Sequence, residues 1–199
     1  MKATGVSHRY PLKNTQIKAQ YFHALRRQKI KEYAKPLIVM APKSLLRHKL
    51  CISELKEFTH GSFEEFIPDP TPPKNPETLI LCSGKVFYDL IEGREAIRSP
   101  KASIMRVEQF YPFHEEKFRE LFKPFSKVKR LVWCQEEPQN MGAWSFLCPV
   151  IEGVIGRRPE FVGRTATASP ATGSLTLHKR EQSELIANAL GEPSVQIEN

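Results

Sequence analysis

The sequence predicts an α/β protein built on an open, mostly parallel five-stranded sheet with helices on both faces. Two observations predict it. Short apolar runs of five to seven residues, bounded by proline, glycine or charge, recur along the chain, and between them lie longer stretches whose apolar residues repeat at helical spacing. Strands alternating with helices need the helices to cover both faces of a parallel sheet. A third observation sets the scale: 199 residues at 40% hydrophobic composition bury one good core, which predicts one principal domain with short extensions.

The elements follow in order. Asn14 or Thr15 caps a helix in which Ile17, Tyr21, Ala24 and Leu25 form the buried stripe, and Lys35-Pro36 ends it, because the residue before proline avoids the α region. LIVMA, residues Leu37 to Ala41, is the first expected strand, covered on both faces. The stretch from Phe58 to Asn75, with Gly61 and prolines 68, 70, 72 and 73, is expected to be an irregular surface excursion. Thr78 to Ser83 is the second strand, and Val86, Phe87, Leu90 and Ile91 share one face of the helix after it. Ser103 to Val107 is the third strand, followed by a helix carrying Phe118, Leu121, Phe122 and Phe125. Arg130 to Glu136 is the fourth, followed by a helix over Ala143 to Ile155. Pro159 to Arg164 is the fifth, and a helix from Leu175 to Leu190 stops at Gly191 and Pro193.

Composition excludes several classes. No run approaches the roughly 18 apolar residues of a membrane span, and the first residues have no apolar signal core, so a soluble intracellular protein is expected. Cys51, Cys82, Cys134 and Cys148 form no Cys-x-x-Cys pair and read as buried thiols in a reducing compartment. The net charge of +8 brings a polyanion into consideration. Between Lys18 and Lys49 nine lysines and arginines face only Glu32. That segment carries no helix-turn-helix or RNA-recognition signature, so nucleic acid is disfavoured as a partner, and an independent anion- or nucleic-acid-binding module stays as the alternative class.

In open parallel sheets ligands meet the carboxyl ends of the strands. Those ends carry Lys43, Ser83-Gly84-Lys85, Glu108-Gln109, Glu136-Glu137 and Gly163-Arg164. Lys43, Lys85 and Arg164 are the candidates to hold an anion, and pairing with Glu108, Glu136 and Glu137 is the structural alternative. Enzyme signatures fail. Ser83-Gly84-Lys85 lacks the other residues of a P-loop, Glu136 and Glu137 point to opposite faces of a strand, and no two histidines are spaced to share a metal. No catalytic and no metal-binding residue is assigned. His48 and His178, each near a helix end among basic residues, read as caps or packing residues.

Five runs together resemble one family. They are PLIVMAPKSLLRHKL (Pro36 to Leu50), LCSGKVFYDL (Leu81 to Leu90), RVEQFYPF (Arg106 to Phe113), WCQEEPQNMGAW (Trp133 to Trp144) and GRTATASPATG (Gly163 to Gly173). In order and spacing they are similar to the C-terminal, transketolase-type domain of the thiamine-diphosphate-dependent decarboxylating component of the 2-oxoglutarate dehydrogenase complex. The resemblance implies four segments: an unmatched tail over 1–14, the last helix of a preceding pyrimidine-binding domain over 15–35, the transketolase-type domain over 36–192, and a tail over 193–199.

What the resemblance implies about function is an expectation of the same kind. Full-length members bind thiamine diphosphate and Mg2+ between two upstream domains, decarboxylate 2-oxoglutarate, and pass the succinyl group to the lipoyl arm of a succinyltransferase, in the bacterial cytoplasm or the mitochondrial matrix. The family's Gly-Asp-Gly run with its following Asn does not occur in this sequence. The chain alone is therefore expected to bind no cofactor and to act as a structural, dimer-supporting fragment, with the upstream domains and a second copy as partners. A regulatory anion such as acyl-CoA, which some members bind, is expected at Lys43, Lys85, Arg106 and Arg164. A 2-oxoadipate dehydrogenase carries closely similar motifs and is the alternative substrate assignment.

Overall fold

A computed structural model describes residues 18–32, 36–40, 42–97 and 100–191. Its helices are α1 (Lys18–Ile30), α2 (Leu55–His60), α3 (Val86–Glu95), α4 (Glu115–Phe122), α5 (Trp144–Ile155) and α6 (Leu175–Leu190). Its strands are β1 (Phe66–Ile67), β2 (Thr78–Cys82), β3 (Ala102–Val107), β4 (Arg130–Pro138) and β5 (Glu160–Arg164), hydrogen-bonded in the order β1-β3-β2-β4-β5. β2, β3, β4 and β5 run parallel, and β1 joins the β3 edge antiparallel.

Strand periodicity sorts the core into two layers. Ile80, Cys82, Ile104, Val132 and Cys134 face α3 and α6, where Leu90, Ile91, Leu185 and Ala189 meet them. Leu79, Leu81, Met105, Leu131 and Trp133 face the other way, against Phe118 and Phe122 of α4 and Leu147, Ile151 and Val154 of α5. Leu79, Ile80 and Leu81 have no exposed surface, and burial of each stabilises the fold by roughly 1.5–3 kcal/mol. Helix ends follow local chemistry. Ser174 caps α6 by accepting from the Leu177 N–H, and Gly156 and Gly191 close α5 and α6 in the left-handed region at φ +68° and +81°.

Three expectations are corrected. The run Leu37 to Ala41 forms no strand over its described part: Ile38 is 61% and Met40 59% exposed, and Ala41 lies outside the described residues. The edge of β3 is taken by β1 instead. An apolar run flanked by prolines has the composition of a buried strand, but composition cannot say whether anything covers it.

The excursion after Phe58 is the second correction, since it supplies β1 and a buried anchor. Phe66 pairs with Val107, and Asp69 receives Arg94 Nη2 at 3.1 Å, Ser103 Oγ at 3.1 Å and the Ile104 N–H at 2.9 Å. A buried carboxylate so fully satisfied fixes a proline-rich loop that local propensity would leave irregular.

Helix α1 is the third. It ends at Ile30, and it buries Ala19, Gln20, His23 and Ala24 while Tyr21 and Leu25 are exposed. Asn14, Thr15, Ile17 and Lys35 lie outside the described residues. Polar side chains dock this helix. Gln20 exchanges two hydrogen bonds with the backbone of Glu64, at 2.7 and 2.8 Å, and His23 Nε2 lies 2.7 Å from the Glu57 carbonyl. Gly61 permits that contact, because a Cβ there would stand 2.4 Å from the Glu57 oxygen.

Candidate functional site

The carboxyl ends of the strands hold a network of charges. Its centre is Glu136 on β4, past a register irregularity between Cys134 and Pro138. Lys85 Nζ reaches Asp89 Oδ2 at 2.6 Å and Glu136 Oε1 at 3.3 Å. Burial alone would lower the Lys85 ammonium, but the charges of Glu136 and Asp89 outweigh it and hold it above its usual range. Gln182 of α6 donates to the same two carboxylates, at 2.8 and 3.2 Å.

Arg164, at the end of β5, enters this network from the other side. It donates to the Glu136 carbonyl, to Glu181 Oε2 at 2.9 Å and to Gln182 Oε1 at 3.0 Å. Lys85 and Arg164 therefore share Glu136 as a partner, and Gln182 links Arg164 to the carboxylates that hold Lys85. Lys85 thus pairs with Glu136, one of the carboxylates weighed from the sequence, whereas the carboxylate that meets Arg164 is Glu181, which was not among them.

The other two expected residues lie elsewhere. Arg106 is fully buried, with its Nε 2.9 Å and its Nη2 2.5 Å from Glu108 Oε1 and its guanidinium over the rings of Phe87 and Tyr88. An arginine with no exposed surface cannot meet a ligand from solvent, which corrects its place in the expected set. Burial raises the Glu108 carboxyl despite the neighbouring Arg106. Lys43 opens a short 3-10 turn, Lys43–Arg47, and is exposed. Gly84 is buried at φ +95°, so it serves the turn from β2 into α3 and offers no open backbone.

Other polar residues had no clear sequence signal. Asp89 was the most legible, standing four residues after Lys85 on one helix face. Gln135, Glu181 and Gln182 were not, because an amide or carboxylate acquires its role from distant elements. Gln135 is buried on β4: its Oε1 accepts from Trp133 Nε1 at 2.9 Å and the Trp144 N–H at 3.1 Å, and its Nε2 donates to the carbonyls of Glu137, Pro138 and Met141. The run from Trp133 to Trp144 is thus a turn closed around one amide.

A second polar feature lies between α1 and residues 61–65. A cavity of about 410 Å³ is lined by His23, Arg26, Arg27, Lys31, Phe63 and Glu65, among others. The Arg27 guanidinium stacks 3.9 Å over the Phe63 ring and donates to Gln109 Oε1 at 2.6 Å. His48, outside this cavity, packs 4.9 Å from the Tyr88 ring.

Among the described residues no three His, Cys, Asp or Glu side chains come together as metal ligands. Among the described residues no helix is long and apolar enough to cross a membrane. Cys51, Cys82, Cys134 and Cys148 are free and buried.

The family model described as 2-oxoglutarate dehydrogenase C-terminal matches residues 52–190. The chain is 42% identical over 179 residues to the 2-oxoglutarate dehydrogenase E1 component of Haemophilus influenzae, covering 86% of this chain and 19% of that protein. It is 43% identical over 178 residues to the E1 component of Azotobacter vinelandii, with the same coverage, and 43% identical over 184 residues to that of Rickettsia typhi, covering 87% and 19%. The chain thus spans about a fifth of the length of these relatives. With about 70% of its residues inside the matched region, it belongs to the 2-oxoglutarate dehydrogenase C-terminal family.

Proposed function

We propose that this chain is the C-terminal scaffold of a 2-oxoglutarate dehydrogenase E1 component. It takes part in decarboxylating 2-oxoglutarate, and in passing succinyl to a lipoyl-bearing succinyltransferase, only when joined to the parts of the enzyme that hold thiamine diphosphate and Mg2+. The observation that carries this reading is where apolar surface is left open. Ten of the twelve large apolar side chains exposed among the described residues lie between Tyr21 and Leu55, including Leu46 at 76% and Leu55 at 78%. Scattered exposed apolar residues need no explanation, but a concentration in one segment marks a surface built for contact. That segment lies before or at the edge of the matched region, which begins at residue 52. It supports docking onto the upstream domains, and the scaffold then helps hold a dimer.

The regulatory anion belongs to the same reading. Lys85, Arg106 and Arg164 serve as counterions within the fold, and Lys43 is the exposed member of the expected set. Isothermal titration with acyl-CoA giving no heat at millimolar ligand removes that part of the proposal.

Co-expression with the upstream portion of a relative, such as the Azotobacter vinelandii protein, tests the main reading. Release of carbon dioxide from 2-oxoglutarate is expected from the pair and not from either part alone. Stoichiometric retention of thiamine diphosphate by this chain alone, or turnover without the upstream portion, overturns the reading.

A further inference from the structure

We propose that Leu37 to Met40 dock this chain by strand addition, joining the edge of a β-sheet in the portion of the E1 component that lies upstream. The inference rests on the reading above, in which that portion is the partner, and names how the two join.

The run has the composition of a strand covered on both faces: four apolar residues, Ile38 and Val39 among them β-branched, and no charge. It is also laid out as a strand would be. Leu37 and Val39 are half-buried while Ile38 and Met40 are exposed, an alternation of period two, and Pro42 beyond them is extended at φ −72° and ψ 132°. Among the described residues no strand pairs with it.

Both flanks hold the run in place. Before it, α1 is fixed to residues 53–64: the Ala19 N–H donates to Ser53 Oγ at 3.2 Å, and Gln20 and His23 bond the Glu64 and Glu57 backbone. After it, Leu45 and Cys51 are buried in the layer that faces α3, and His48 packs on Tyr88 of that helix. A strand-like run tethered on both sides and unpaired between them offers its backbone N–H and C=O groups as a sheet edge does. Pro36 and Pro42 lack the N–H group, which confines the ladder to the residues between them.

The extent of the likenesses points to the occupant. The C-terminal family model covers 52–190, whereas the likeness to the Haemophilus influenzae E1 component runs over 179 residues, and only nine residues follow 190. Most of the difference lies before residue 52, in E1 sequence outside the C-terminal domain. A strand in that stretch has its neighbours in the part of E1 that precedes it.

Hydrogen exchange tests this on the full chain, alone and co-expressed as a complex with the upstream portion of the Azotobacter vinelandii protein. Amides 37–40 are expected to exchange unprotected in the chain alone and about a hundredfold more slowly in the complex. Successive N–H groups of a strand point to opposite sides, so at least one of Ile38→Pro and Val39→Pro removes a bonded donor. That variant is expected to lower recovery of the complex about tenfold, whereas Val39→Ile leaves it unchanged. A complex in which 37–40 stay unprotected, or which both proline variants leave intact, overturns the added strand while the proposed function stands. Protection in the chain alone that grows with its concentration assigns the run to a second copy and overturns the proposal as well. If the native pair does not form, the proposed function falls and this inference with it. If a proline variant lowers the Tm of the chain alone, exchange in the native complex decides.

Discussion

A Cβ at position 142 would stand 2.8 Å from Gln135 Nε2, and Gly142 itself sits at φ +70°. The turn after β4 therefore needs glycine twice over, once for its backbone and once to let the buried amide in. Gly142→Ala is expected to lower stability by about 1–3 kcal/mol from left-handed strain and displacement of Gln135. Gln135→Leu strands the Trp133 indole N–H and the Trp144 N–H together with three carbonyls, and is expected to lose about 2–4 kcal/mol. Urea denaturation measures both, and a Gln135→Leu protein as stable as the native one would refute the closed turn.

Asp69 and Arg94 form a buried pair with side-chain exposures of 1% and 4%. Arg94→Met leaves a desolvated carboxylate behind and is expected to cost about 3–5 kcal/mol. Adding Asp69→Asn removes that stranded charge, so the double variant is expected to lose less than the two single losses combined. A double-mutant cycle is the measurement. Strict additivity would show that the pair does not anchor the loop before β2.

Burial pushes the Cys82 thiol up to about 12 and raises the Cys134 and Cys148 thiols as well. A thiol reagent that needs the thiolate is therefore expected to label Cys82, Cys134 and Cys148 in the native chain only as fast as it unfolds, and to find four thiols in denaturant. Fast labelling of Cys82 or Cys134 at neutral pH would contradict the packing of β2 against β4.

Glu77 is clamped by Lys101 at 2.5 Å and Lys129 at 2.6 Å, and these hydrogen bonds hold its carboxyl down at about 2. The folded value lies below the ordinary one of 4.5, so the stabilisation is complete above the ordinary value and disappears as pH falls through about 2. The difference in Tm between the native protein and Glu77→Gln is expected to be positive near neutral pH, to shrink on acidification, and to diminish in high salt because both lysines are exposed. A difference independent of pH would remove the clamp as its cause.

Legibility followed the range of the interactions involved. β2, β3, β4 and β5 and helices α5 and α6 fell within a residue or two of expectation, and α3 carried the expected apolar face, because alternation, helical spacing and the stop at Gly191 are local. The motif order also carried the family. The candidate site was read in part: Lys85 and Arg164 were named, as was Glu136 as a partner, but Gln182 and Glu181, which join them, were not. Arg106 stood at a strand end on paper, and only packing of Phe87, Tyr88 and Glu108 around it shows that it never reaches solvent.

The sequence by itself determined the α/β class, the four parallel strands and the family, since these rest on periodicities and motifs that each segment carries alone. The tertiary structure decided what neighbours impose. It left Leu37 to Met40 outside the sheet, docked α1 through Gln20 and His23, and gave Lys85 and Arg164 their partners. Burial and pairing depend on residues distant in sequence, and no local pattern records which of them will arrive.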